Sequence, residues 1–203
     1  MIQIPTLFMD IGGVFLTNAW DTGARKRAAE AFQLDYQEFQ TRHEMLKTAF
    51  ETGRLSLDSY IKKAVFHRSR TFSPDDFKTF MFSQSKALGE TLDWLRKLAA
   101  TGKYRLFTLN NESRELHEYR VRTFKLHDVF SAFLTSCYLG QAKPDEGIYT
   151  SALGISCCSK SHALFIDDRA LNVEPAIALG LHAYQFQDLE TLRTVLKEHG
   201  VEA

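Results

Sequence analysis

The chain has 203 residues, of which 44% are hydrophobic and 25% charged, and this composition suits one large domain with a full core. Its 25 basic and 25 acidic residues balance, which argues against nucleic acid or an anionic membrane as a partner. No apolar run reaches transmembrane length, and residues 1–5 resemble no signal peptide. Because the three cysteines form no framework of disulfides or metal ligands, we expect a reducing, cytoplasmic location.

The first predicted element is a short buried strand over residues 6–10, which ends in Asp10. Two glycines, Gly12 and Gly13, follow it and let a ligand approach the backbone closely. Asp10 is therefore expected at the carboxyl end of a core strand, where open α/β sheets bind their ligands.

The next stretch, residues 16–86, carries helix signals and no strand pattern. Residues that can cap a helix precede each predicted helix: Asp21 or Thr22, Asp35, Ser56, and Ser73 followed by Pro74. Phenylalanines at helical spacing predict a core within this stretch, whereas the basic run 25–27 and His43 are expected at its surface. The pattern indicates a small helical bundle inserted after the first strand.

Beyond residue 86, strands alternate with helices. We predict strands over 104–109, 132–136, 162–166 and 182–186, and helices over 88–100, 113–124, 145–153, 170–179 and 189–198. This alternation predicts right-handed crossovers and a doubly wound, mostly parallel sheet covered on both faces. The expected domains are an α/β core of residues 1–15 and 87–203 and a helical cap of residues 16–86.

Polar residues follow the strands where each one ends. They are Asp10, Asn110 with Asn111, Lys143 before Pro144, and Asp167 with Asp168. Because the carboxyl ends of parallel strands share one edge, these side chains are expected to converge on one crevice. Clustered carboxylates favour Mg²⁺, which lets a phosphate lie beside an aspartate, and a lysine suits the same phosphate. Aspartate itself can serve as the nucleophile in phosphoryl transfer.

These motifs, in this order, resemble those of the haloacid dehalogenase-like superfamily, whose members are mostly Mg²⁺-dependent phosphatases. The matching segments are Asp10-Ile11-Gly12-Gly13-Val14, Leu109-Asn110-Asn111, Lys143-Pro144 and Phe165-Ile166-Asp167-Asp168. The helical insertion resembles the cap that closes over the site in that family and selects the substrate.

The resemblance implies a role for each matched residue. Asp10 would be the nucleophile and Lys143 its catalytic partner. Mg²⁺ would be held by the Asp10 carboxylate, the Gly12 carbonyl and Asp168. The phosphorylated substrate would contact Gly12, Gly13, Asn110, Asn111 and Lys143. Asn172 matches a second acidic or amide position near the metal.

Gly12 marks the main departure from the family pattern, because family phosphatases usually have there a second aspartate that acts as general acid and base. General acid–base catalysis is worth about 10²–10⁴ in rate. Three hypotheses stay open: a phosphatase of small phosphorylated metabolites that forms an aspartyl phosphate, a metal-free 2-haloacid dehalogenase, and a family member that has lost catalysis and binds a metabolite or protein. Phe15 and Trp20 are candidates for lining the substrate crevice.

Overall fold

A five-stranded sheet forms the centre of the molecule, in a computed structural model that describes residues 5–202. The strands are β1 (Thr6–Met9), β2 (Arg105–Asn110), β3 (Ala132–Thr135), β4 (Ala163–Asp167) and β5 (His182–Gln185). All pairings are parallel in the order β3-β2-β1-β4-β5, which confirms the predicted sheet. Strands β2 and β3 lie on one side of β1, and strands β4 and β5 lie on its other side. The order therefore reverses between β1 and β4, and ligands bind at such a switch point. The start of the predicted core and the expectation about a signal peptide concern residues 1–4, outside the described residues.

Helices cover both faces of this sheet. They are α5 (Thr91–Ala100), α6 (Arg114–Thr123), α7 (Ser136–Leu139), α8 (Glu146–Ser156), α9 (Ala170–Ala178) and α10 (Leu189–Glu198). The sequence placed the start of α5 at residue 88, but Gly89 has φ +48° and interrupts the right-handed conformation before Thr91. The pattern missed the one-turn helix α7. Within residues 5–202, no helix is both long and apolar enough to cross a membrane.

Four helices lie between β1 and α5. They are α1 (Thr22–Ala31), α2 (Tyr36–Glu51), α3 (Leu57–Ala64) and α4 (Pro74–Ser83). The predicted caps are observed, since the side chains of Asp21, Asp35, Ser56 and Ser73 each accept a hydrogen bond from a backbone N–H of the first turn. These helices enclose a core of their own that contains Phe39, Phe50 and Phe77. The domain boundaries at residues 16 and 86 stay a prediction.

The insertion is held against the carboxyl-end edge of the sheet at the end of α2. Ser136 Oγ donates a hydrogen bond of 2.6 Å to the carbonyl oxygen of Glu51. Gly53 follows with φ +73°, and a Cβ there would overlap the Cys137 carbonyl oxygen, so the two backbones touch. The N–H of Leu57, at the start of α3, donates to Glu115 Oε1 at 2.9 Å. These contacts place the last turns of α2 over the strand ends.

Two residues that were expected at the surface of the insertion are buried. Arg25 is 5% exposed, and its guanidinium donates to the carbonyl oxygen of Trp20 at 2.5 Å and to Gln40 at 2.8 Å. His43 is 3% exposed, and its Nδ1 lies 2.8 Å from the hydroxyl of Tyr60. The surface prediction was wrong for both because their polar partners come from other segments of the bundle, which helical periodicity does not reveal.

Burial also determines the charge of His43. Desolvation, with smaller contributions from Arg25 and Lys47, lowers the pKa of His43 from 6.5 to about 3. Below pH 6.5 the unfolded chain therefore binds a proton that the folded chain does not, and stability falls as pH falls, until about pH 3. The expected slope is about 1.4 kcal/mol per pH unit.

Denaturant unfolding of the wild type and of His43→Gln at pH 7, 6 and 5 isolates this contribution. Glutamine can still bond Tyr60 but does not titrate. The contributions of all other titratable groups therefore cancel in the difference in unfolding free energy between the two proteins. We expect that difference to shift against the wild type by about 2 kcal/mol from pH 7 to pH 5. A difference that stays constant over this range would contradict a neutral, buried His43.

Candidate active site

The end of β1 places Asp10 at the centre of the strand-end edge. The N–H of Asp10 continues the pairing with β4 by donating to the Ile166 carbonyl oxygen at 2.8 Å, and the residue is 8% exposed. Gly13 has φ +71°, and a Cβ there would overlap the carboxylate of Asp168. Glycine at position 13 thus lets the turn after β1 pass directly against the end of β4.

Lys143 joins the ends of three strands. Its Nζ lies 3.0 Å from Asp10 Oδ1 and 2.5 Å from Asp167 Oδ2, and it donates to the Leu109 carbonyl oxygen at 2.7 Å. These three contacts use the three donors of an ammonium group. The side chain is 1% exposed, so Lys143 is a fixed, buried charge beside the Asp10 carboxylate.

The carboxylates outnumber the cation. Asp10, Asp167 and Asp168 can bring one oxygen each within 4.8 Å of one another, and Lys143 is the ammonium that contacts them. Two negative charges of the cluster therefore lack a cationic partner. Burial raises the pKa of Asp10 to about 6, with Lys143 opposing the shift and Asp167 and Asp168 adding to it. Burial alone would lower the pKa of Lys143, but the two contacting carboxylates raise it above its ordinary value.

The two aspartates at the end of β4 have different surroundings. Asp167 is fully buried and accepts bonds from Lys143, from the Asn172 amide at 3.0 Å and from the Arg169 N–H at 2.9 Å. Asp168 has one bonded oxygen, Oδ2, at 3.1 Å from Asn18 Nδ2. Its Oδ1 is buried and has no hydrogen-bond partner among the described residues. Asp168 thus presents an oxygen that can take a cation, whereas Asp167 and Asn172 bind each other.

The two asparagines after β2 also differ. Asn110 is 2% exposed; its Oδ1 accepts a bond from Thr135, and its Nδ2 has no partner within residues 5–202. Asn111 forms two bonds of 2.8 Å with the backbone N–H and carbonyl of Lys143. Asn111 therefore orients the loop that carries Lys143. That its side chain binds substrate stays a prediction, and both of its polar atoms are engaged here.

Asn18 occupies the space beside Gly12. A Cβ at position 12 would lie 2.5 Å from Asn18 Oδ1 and 3.3 Å from its Cα. The same amide bonds Asp168 through Nδ2. The side chain that the family pattern places at position 12 is thus replaced by an amide from the loop that leads into the insertion. Nothing in the sequence pattern identified Asn18, because its position depends on the path of that loop.

A cavity of about 560 Å³ opens above Asp10, between the strand ends and α2. Its lining is mostly charged or polar and contains no aromatic side chain of residues 5–202. From α2 it includes Glu44, Lys47, Thr48 and Glu51, and from the core Glu112, Arg120, Asp145 and Arg169.

Phe15 and Trp20 are not part of that lining, which corrects the expectation for both residues. Phe15 is fully buried and stacks on Phe130 in the core, and Trp20 donates to Tyr60 inside the insertion. Their apolar surface is used for packing, and no motif or periodicity in the sequence identified the polar residues that line the cavity from α2 and α6.

Comparison with known proteins agrees with this geometry. The family model described as haloacid dehalogenase-like hydrolase matches residues 24–185. The chain is 27% identical over 169 residues to the chloroplastic flavin mononucleotide hydrolase 1 of Arabidopsis thaliana, covering 81% of this chain and 66% of that relative. The chain thus spans just under two thirds of that protein.

Solved structures share the fold over nearly the whole chain. A HAD family enzyme of Bacteroides thetaiotaomicron superposes with a TM-score of 0.79 at 24% identity, covering 94% of this chain and 98% of that one. The same enzyme has also been solved with magnesium and inorganic phosphate. A predicted HAD-like hydrolase of Porphyromonas gingivalis has a TM-score of 0.75 at 21% identity, with 100% of both chains covered.

The family match covers most of the chain, and it agrees with the parallel sheet, the inserted helices and the strand-end carboxylates. The chain therefore belongs to the haloacid dehalogenase-like hydrolase family.

Proposed function

We propose that this protein is a Mg²⁺-dependent phosphatase that acts on a small phosphorylated metabolite through an aspartyl phosphate on Asp10. The proposal rests chiefly on one observation, the cluster at the strand ends in which three carboxylates meet one ammonium group. A divalent cation would balance its two remaining charges, and a phosphate could then lie beside Asp10.

The donor set fits magnesium. The buried Asp168 Oδ1 lacks a partner among residues 5–202, and carboxylate oxygens are the ligands that Mg²⁺ prefers. We assign the ion to the Asp10 carboxylate, the Gly12 carbonyl and Asp168. When bound, it would neutralise charge on the phosphoryl group. That the Bacteroides enzyme of the same fold has been solved with magnesium and inorganic phosphate supports this assignment.

The residues of the chain have separate roles in the proposed reaction. An Asp10 oxygen attacks the phosphorus atom, and the bond to the alcohol oxygen breaks. Lys143 holds the Asp10 carboxylate in place and offsets the charge around it. Asn110 Nδ2 is buried and has no partner among the described residues, so in this proposal it donates to a phosphate oxygen. Hydrolysis of the phosphorylated Asp10 then releases phosphate and restores the carboxylate.

The cavity favours a hydrophilic substrate. The related plant protein is named for flavin mononucleotide, whose ring system calls for aromatic or apolar contacts. The lining here is charged and polar, with Ala142, Pro144 and Leu171 as its apolar members. We therefore propose the phosphate ester of a small polar alcohol, such as a sugar, as the substrate in a cytoplasmic setting, with no nucleic acid or membrane partner.

The charge balance also favours a phosphatase over a 2-haloacid dehalogenase. A dehalogenase binds a monoanionic carboxylate without a metal, and the two unbalanced negative charges of the cluster, which includes the nucleophile, would repel that substrate. The retained Asp10, Lys143 and Asp168 favour an active enzyme over a family member without catalysis.

A substrate panel tests the proposal. The panel contains an aryl phosphate, several sugar phosphates, flavin mononucleotide and 2-chloropropionate, each with Mg²⁺ and with a chelator. We expect phosphate release only with the metal, and a kcat/KM for the best sugar phosphate at least about tenfold above that for flavin mononucleotide. Turnover unaffected by the chelator, or chloride release without phosphatase activity, would refute the proposal.

A further inference from the structure

The proposed reaction needs a proton donor that the end of β1 does not supply. When the bond between phosphorus and the alcohol oxygen breaks, that oxygen must gain a proton, because an alkoxide is a poor leaving group. Gly12 has no side chain, and the Asn18 amide beside it does not give up a proton at neutral pH. A titratable side chain elsewhere on the cavity wall can supply this proton. This inference rests on the proposed phosphatase function.

We propose that Glu112 is this proton donor, and that it later takes a proton from the water that hydrolyses the phosphorylated Asp10. Glu112 lies two residues beyond Asn110, after the end of β2, and lines the same cavity as Asp10. Its side chain is 12% exposed, so it is desolvated but accessible. Its Oε1 has no hydrogen-bond partner in the described part of the chain, residues 5–202, and so is free to bond a group that binds in the cavity.

Arg120 fixes the position of this carboxyl group. Arg120 Nη1 lies 2.6 Å from Glu112 Oε2, and Nη2 donates to the Thr17 carbonyl oxygen. The guanidinium is buried, with the residue 2% exposed. The Glu112 backbone is held as well, because its N–H donates to Ser136 Oγ at 3.0 Å. Arg120 is thus a positioning residue that leaves one oxygen of Glu112 available.

Glu112 can also carry a proton at neutral pH. Burial raises the pKa of Glu112 to about 7; Arg120 opposes the shift, and the negative charges of Glu51 and Asp10 add to it. A group with this pKa is suited to give a proton and to take one back near pH 7.

Glu51 is the competing carboxyl group on the wall. Burial also raises the pKa of Glu51, against the opposing charges of Lys47, Arg169 and Arg25. Its side chain, however, forms no hydrogen bond with any residue of 5–202, so its position is not fixed. A general acid must be held within hydrogen-bond reach of the oxygen it protonates, which favours Glu112.

The proposed reaction has two steps, formation and hydrolysis of the phosphorylated Asp10, and Glu112 gives up one proton and regains one over the cycle. In the first, an Asp10 oxygen bonds to phosphorus, the bond to the alcohol oxygen breaks, and the Glu112 proton passes to that oxygen so that a neutral alcohol leaves. In the second, a water oxygen bonds to phosphorus while Glu112 accepts a proton from it. The bond between phosphorus and Asp10 breaks, its electron pair returns to Asp10, and inorganic phosphate leaves. Glu112 is then protonated for the next turnover.

The test compares Glu112→Gln with the wild type on two esters, p-nitrophenyl phosphate and an alkyl phosphate. Nitrophenolate leaves without a proton, so kcat/KM for the aryl ester should fall less than about threefold, whereas that for the alkyl ester should fall by about 10²–10³. Glutamine can still accept the Arg120 bond, so the fold should persist, which the melting temperature checks.

With the aryl ester, Glu112→Gln should also show a burst of nitrophenolate, because the variant lacks the base for the second step and the phosphorylated enzyme accumulates. Glu118→Gln, an exposed residue of α6 outside the cavity, is the control and should match the wild type.

Other outcomes separate the alternatives. Equal losses on both esters would assign Glu112 a structural role, and no loss would exclude it as the acid; either result overturns the inference while the phosphatase function stands. A loss on the alkyl ester alone in Glu51→Gln, with Glu112→Gln unchanged, would transfer the role to Glu51. A wild type inactive on every ester would overturn the phosphatase function and this inference together. If Glu112→Gln does not fold, Glu112→Asp decides by the same ratio of the two esters, with a partial loss expected on the alkyl ester.

Discussion

Replacing Asp10 with asparagine should lower kcat for any phosphate ester by at least about 10⁴, because an amide oxygen does not attack phosphorus and no other nucleophile replaces it. The measurement is phosphate release with Mg²⁺ present, together with acid trapping of the enzyme after reaction with a ³²P-labelled substrate. The wild type should retain label and Asp10→Asn should not.

This substitution should leave the fold intact. Asparagine has the shape of aspartate, its Oδ1 can accept the Lys143 bond, and the change removes a carboxylate whose pKa burial already raises. The melting temperature should therefore stay equal or rise. Asp145→Asn is the matched control, since Asp145 lines the cavity but lies outside the carboxylate cluster. If Asp10→Asn kept more than about one hundredth of the wild-type kcat, Asp10 would not be the nucleophile.

Lys143→Met should have the largest effect on stability. Methionine fills a similar volume but leaves Asp10 and Asp167 without the ammonium group that lies 3.0 and 2.5 Å from them. Breaking a buried ion pair from one side typically costs about 3–5 kcal/mol, and we expect a loss of this size. Urea unfolding with a chelator present measures it, because bound metal would mask part of the repulsion.

A second substitution identifies the cause of that loss. Lys143→Met combined with Asp167→Asn removes one charge of each sign, and the pair should be more stable than the sum of the single changes by about 1–3 kcal/mol. Additive losses would show that Lys143 stabilises the fold through its hydrogen bond to Leu109 and its packing, and not through the carboxylates. A loss below about 1 kcal/mol in Lys143→Met would contradict a buried ion pair at this position.

The sequence predicted what depends on local patterns. Alternating strands and helices predicted the parallel sheet. Because the carboxyl ends of parallel strands share one edge, the same pattern predicted that Asp10, Lys143 and Asp168 lie along that edge. Capping side chains marked the helices of the insertion because a cap lies next to the helix that it begins. Gly102 and Gly180 follow the predicted helices 88–100 and 170–179 and end them with φ of +66° and +85°.

The rest of the site depends on contacts between distant segments. Glu112, in a loop, accepts a hydrogen bond from Arg120, on a helix, and neither residue belongs to a motif. Asn18 lies beside Asp168, 150 positions away, because of the path that the loop after β1 takes. The sequence pattern alone makes His43 resemble a surface residue of an amphipathic helix, because its burial depends on Tyr60, which lies on another helix. Tertiary partners of this kind leave no periodic signal in a single sequence.

The contact between Gly12 and Asn18 limits how this enzyme can change by mutation. An aspartate at position 12 would displace the Asn18 amide, which is also the hydrogen-bond partner of Asp168. A substitution of Gly12 by aspartate alone therefore disturbs the hydrogen bond between Asn18 and Asp168. An aspartate at position 12 is therefore accommodated with less disturbance when a smaller residue already occupies position 18. These two positions should accordingly vary together among descendants of this protein, and a library that randomises them jointly should yield active combinations that single-site libraries miss.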